Sequence, residues 1–81
     1  MTKDYSIFDW DDLRFEVGRY HPTLCGYTKD YSAFIIIRQF RENGPLIGYA
    51  LHPTENKLLQ RWYLNREQLN KYKARIGVDK L

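Results

Sequence analysis

Eighty-one residues, 43% of them hydrophobic and with a net charge of +3, suffice for one small domain and leave little room for a deep active-site cavity. The single cysteine, Cys25, excludes an internal disulfide and a cysteine-based zinc cluster, and no apolar run approaches the length of a leader or a membrane span. The chain therefore reads as a complete small cytoplasmic protein beginning at Met1.

The charge is unevenly spread. Residues 1–30 hold four Lys and Arg against six Asp and Glu, whereas residues 31–81 hold nine against four. An acidic front and a basic back attract one another and favour solubility. Aromatic residues make up 16% of the chain, and each can bury a large area, which is one way for a short chain to close a core.

In chain order, Asp9 stands before Trp10, Asp11 and Asp12, the pattern of a capped short helix with first-turn carboxylates. Leu13, Phe15 and Val17 then alternate with Arg14, Glu16 and Gly18, as in a strand, the alternative being a helix continuing through Trp10, Leu13 and Val17. Residues 21–32 contain Pro22, Gly26 and the Lys29–Asp30 pair, and are expected to be loop with at most a short extended piece. Phe34–Phe40 is β-branched and aromatic on both faces through Ile37, as a central strand would be.

Asn43-Gly44 is a hairpin signal, but Pro45 lacks the amide that would close a two-residue turn. A longer loop from Arg41 to Pro45, pairing Phe40 with Leu46, is expected instead. That register places Ile35, Ile37, Ile47, Tyr49 and Leu51 on one face. Phe34, Ile36, Arg38, Phe40, Leu46 and Ala50 fall on the other.

Residues 52–56 read as a turn and residues 57–64 as a returning strand, the alternative being one long helix from Thr54. Leu51 opposite Leu58 adds Leu58 and Trp62 to the first face, and Leu59, Arg61 and Tyr63 to the second. Asn65 and Gln68 resemble a capping box, opening a helix from Arg66 to Ile76 that ends at Gly77. Its stripe of Leu69, Tyr72 and Ile76 should pack on the Ile35/Ile37/Tyr49/Trp62 face, with Glu67, Lys71 and Arg75 outward. The expected fold is a single α+β domain over residues 1–81. It has a three- to four-stranded antiparallel sheet, a C-terminal helix on one face and a short N-terminal helix or turn.

Little in this pattern points to catalysis. His21 and His52 each precede a proline and belong to turns, and Asp9, Asp11 and Asp12 lack the spacing of a calcium loop. Cys25 has no adjacent cation and reads as a small buried hydrophobe, and there is no phosphate-cradling glycine motif. No catalytic residue, metal or cofactor is expected.

The second sheet face is the informative one, because Phe34, Arg38, Phe40, Arg61 and Tyr63 mix aromatic rings with guanidinium groups. Either the N-terminal segment covers it through Phe8, Trp10 or Phe15, or it is free to bind. Such a surface suits the centre of a protein interface, and can also stack single-stranded bases. Arg66, Lys71 and Arg75 would then form an interface rim or a nucleic-acid contact.

The leading expectation is a non-enzymatic protein-binding module acting as a stoichiometric regulator or inhibitor, of the kind a phage or plasmid encodes. It would be a monomer or homodimer without a membrane role. The alternative is a small basic nucleic-acid-binding protein, although the aromatic motif of RNA-recognition modules is absent.

Overall fold

The computed structural model describes residues 3–17, 22–39, 41 and 44–76. Asp9 caps a single 3₁₀ turn, Trp10–Asp12, its carboxylate accepting the Asp11 amide at 2.9 Å. Strands β1 (Arg14–Val17), β2 (Pro22–Tyr27), β3 (Phe34–Gln39), β4 (Leu46–Leu51) and β5 (Leu58–Tyr63) follow, and then helix α1 (Arg66–Ile76). The strands form one antiparallel sheet in chain order, β1-β2-β3-β4-β5, with β3 at its centre.

The fold is α+β, with five strands where three or four are expected. The additional strand is β2, in the stretch read as loop from its proline and glycine. Pro22 stands at the first position of the strand, where a missing amide is tolerated. At Gly26 the chain of Asp12 and Leu13 crosses the sheet, and any Cβ there would overlap the Asp12 carbonyl oxygen. Gly26 is thus a crossing point within a strand rather than a break.

The register between β3 and β4 differs by one residue from the expected one: Gln39, not Phe40, lies opposite Leu46, and Ile35 lies opposite Ala50. Since side chains alternate, the whole of β4 changes face. Gly48 and Ala50 join Ile35 and Ile37 on the helix side, while Ile47, Tyr49 and Leu51 join Phe34, Ile36 and Arg38 on the other. Trp62, opposite Gly48, supplies the physical reason: a Cβ at 48 would collide with its indole ring, which packs directly on the bare glycine. The Gln39 side-chain amide donates to the Gly44 carbonyl at 2.7 Å, which ties the loop to the end of β3. Phe40 and Asn43 lie outside the described residues.

Leu51 does pair with Leu58, but an irregularity at Ala50/Leu51 puts Gln60 opposite Ala50 and Trp62 opposite Gly48. Leu59 accordingly packs against the core and Leu58 is 53% exposed, the reverse of the expected sides. The capping box forms as read: the Gln68 amide donates to Asn65 Oδ1 at 2.9 Å, and the Asn65 amide to Gln68 Oε1 at 3.3 Å. Tyr72 and Ile76 of α1 are buried and Leu69 packs beside them, over a core of Leu13, Leu24, Ile35, Ile37 and Ala50. Gly77 lies outside the described residues.

The N-terminal segment shares the helix side instead of crossing the opposite face. Phe8 sits between Trp10 and Trp62, at ring-centroid distances of 5.0 and 6.2 Å. The Tyr5 amide donates to Gln60 Oε1 at 2.7 Å, and the Gln68 side chain to the Ser6 carbonyl at 2.9 Å. Arg75 donates to the carbonyls of Trp10 and Leu13. The Cα radius of gyration is 12.2 Å, and no described helix is long and apolar enough to cross a membrane.

Candidate functional site: the open sheet face

With α1 and the N-terminal segment on one side, no described element lies across the other. Its residues can be read in rows across the strands. One row runs Arg14, Cys25, Ile36, Tyr49, Arg61; the next runs Glu16, Thr23, Arg38, Ile47, Tyr63; a third runs Tyr27, Phe34, Leu51, Leu58. Aliphatic and aromatic side chains occupy the middle and guanidinium groups stand among and around them. Glu16 is the single acid in these rows.

The exposures show how the face is used. Arg38 and Arg61 are exposed and Tyr63 is 66% exposed, whereas Ile36, Ile47 and Tyr49 are half-buried beneath them. The Arg38 guanidinium lies 5.7 Å from the centre of the Tyr49 ring, a cation–π approach that holds the two together. At the far end, Tyr27 meets Phe34 edge-on at 4.8 Å and Tyr31 at 5.7 Å, and Tyr31 is itself 68% exposed.

Two depressions open on this side. The larger, about 530 Å³, is lined by Arg41, Gly44, Pro45, Ile47, Tyr49, Arg61 and Tyr63. It has an apolar floor, phenol walls and two guanidinium groups at its margin, with no acid among the described residues of its lining. The smaller, about 230 Å³, lies near Phe34, Leu51 and His52. There the His52 Nδ1 accepts the amides of Thr54 and Glu55 at 3.3 and 3.1 Å, which commits that nitrogen to closing the turn.

Of the residues picked out from sequence, Phe34, Arg38, Arg61 and Tyr63 come together on this face, and Phe40 lies outside the described residues. Arg66, Lys71 and Arg75 belong to α1, in the layer behind the sheet, and Arg75 is engaged with the 3₁₀ turn. Ile47, Tyr49 and Arg41 were missed. The signal for Ile47 and Tyr49 was the small pair Gly48 and Ala50, which marks the side of β4 on which something large must lie.

Cys25 is buried, and burial first, then the Glu16 carboxylate, push its thiol up, which disfavours the thiolate. Among the described residues no three His, Cys, Asp or Glu side chains gather as metal ligands would. Compared with known proteins, the chain matches no family model, no curated protein and no solved structure.

Proposed function

We propose that the protein is a non-enzymatic binding module whose open sheet face docks on another protein, acting stoichiometrically as a regulator or inhibitor. The supporting observation is the division of β4: three of its four large apolar residues, Ile47, Tyr49 and Leu51, stand on the uncovered side among Arg38, Arg61 and Tyr63, and only Leu46 packs on the core. Large half-buried apolar groups beside exposed Tyr and Arg are the composition of an interface centre, where a few such side chains carry most of the binding energy. The helix cations would contribute chiefly to encounter rate.

The test is capture from a source lysate with and without nuclease, together with titration of labelled single-stranded DNA and RNA at low and physiological salt. Nuclease-resistant capture of a protein, weakened ~30-fold or more by Arg61→Ala, is the expected result. Tight oligonucleotide binding abolished by Tyr63→Ala would replace this reading with base stacking on the same face.

A further inference from the structure

β5 is an edge strand, and its backbone groups divide between a paired and an unpaired side. The Leu64 amide donates to the Leu46 carbonyl at 3.3 Å, so that pair, and by alternation Trp62–Gly48 and Gln60–Ala50, are the hydrogen-bonded ones. Arg61 and Tyr63, opposite Tyr49 and Ile47, fall between them, which turns their amides and carbonyls to the outer edge. No described backbone group pairs with that edge, because the N-terminal segment meets β5 through the Gln60 and Trp62 side chains and not through its backbone. The same two residues send their side chains onto the open face, where with Arg41 and Tyr49 they wall the 530 Å³ depression.

We propose that the outer edge of β5 receives an extended acidic segment of a partner protein as a sixth strand, with one carboxylate entering the depression between Arg41 and Arg61. This rests on reading the open face as a protein interface, and it adds the manner of binding.

Charge complementarity selects the occupant. Arg41 and Arg61 make no side-chain hydrogen bond or ion pair with any described residue, and no described acid lines the depression they border. A strand added at this edge puts the residue opposite Arg61 on the open face beside its guanidinium, and a carboxylate there can take paired, charge-assisted hydrogen bonds. The next residue along the segment falls on the opposite face near Gln60 and Asp4, where an acid is repelled. The favoured segment therefore carries acids at alternate positions with apolar or neutral residues between, and its main-chain bonds supply affinity while the acids supply specificity. A second copy of this chain fits poorly, because joining two β5 edges abuts two arginine-bearing faces.

The probe is a capped heptapeptide alternating glutamate with valine, added to the full chain, with backbone amide exchange followed residue by residue. The peptide should slow exchange at Arg61 and Tyr63, and Arg41→Ala or Arg61→Ala should weaken its binding about tenfold. The same peptide with lysine for glutamate should not bind. Tyr63→Pro removes only an outward amide, which an edge strand tolerates, and should abolish binding. Tyr63→Ala loses the ring but keeps the amide, and should retain slowed exchange at Arg61.

Unchanged exchange at Arg61 in the native chain with peptide present overturns the proposal. So does equal binding by Tyr63→Pro and Tyr63→Ala, preference for oligothymidylate over the peptide, or Arg61 and Tyr63 already protected in a sedimenting dimer. If the edge result fails while Arg61→Ala still weakens capture of a protein partner, the face reading stands and the sixth strand falls.

Discussion

On the helix side of the sheet β4 contributes Leu46, Gly48 and Ala50; on the open side it contributes Ile47, Tyr49 and Leu51. Past Leu46, which packs on the core at the start of the strand, the covered face takes the small residues and the uncovered face the large ones. The covered side gains its bulk from elsewhere: Trp62 lies over Gly48, the Asp12–Leu13 chain over Gly26, and Tyr72 of α1 closes the space above Ile35 and Ile37. A flat seat under a large neighbour buries as well as a large residue under a small one, provided the volumes sum to a filled core. The open side has no such neighbour among the described residues, so the same strand's bulk remains available to a partner.

The comparison is broken most directly by truncating adjacent isoleucines of β3 that point to opposite sides. Ile37→Ala, on the fully buried side, should lower stability by ~2–5 kcal/mol in urea unfolding. Ile36→Ala, half-buried on the open side, should cost about 1 kcal/mol or less. Equal losses would mean that the second face is also a core.

Gly48→Val asks whether the seat beneath Trp62 decides the register. A side chain there must displace the indole, and a loss of ~1–3 kcal/mol with altered tryptophan fluorescence is expected. An unchanged protein would show that Trp62 has room to move.

Two arginines sharpen the contrast further. Arg75→Ala removes the donors to the Trp10 and Leu13 carbonyls and should cost about 1 kcal/mol. Arg61→Ala, with no described side-chain partner, should stay within ~0.5 kcal/mol in stability while weakening binding.

The smallest effect concerns acid. Hydrogen bonding to Lys29 and then to the Asp11 amide holds the Asp9 carboxyl below the usual range, and Ser6, then Gln60, do the same for Asp4. Carboxyls depressed by folding stabilise the native state above their unfolded pKa, and that contribution is lost as pH falls through the folded value. The N-terminal segment should therefore loosen first below pH ~4, seen as faster amide exchange at Tyr5 and Asp11 before the β3 amides respond.

Much of the architecture was legible because it rests on local chemistry. Asp9 as a cap, the Asn65–Gln68 capping box and β3 as the central strand each follow from a few adjacent side chains and their hydrogen-bonding or burial needs. Four of the open-face residues were legible for a similar reason, since β3 and β5 alternate in a way that sets Phe34 with Arg38 and Arg61 with Tyr63. β2 was hidden because Pro22 and Gly26 have poor strand propensity, and only the chain crossing above Gly26 makes that composition useful.

By itself, then, the sequence determined the α+β class, the helix and its cap, the central strand and the arginine-aromatic set. Those follow from interactions spanning a few residues. The tertiary structure alone decided the β3–β4 register, the side taken by Ile47, Tyr49 and Leu51, and the placement of the N-terminal segment beside α1. β3 is apolar on both faces through Ile37, so either register buries comparable area from that strand, and period-2 alternation could not choose. The register that formed is the one that seats the Trp62 indole on Gly48, a contact between neighbouring strands that no local pattern records.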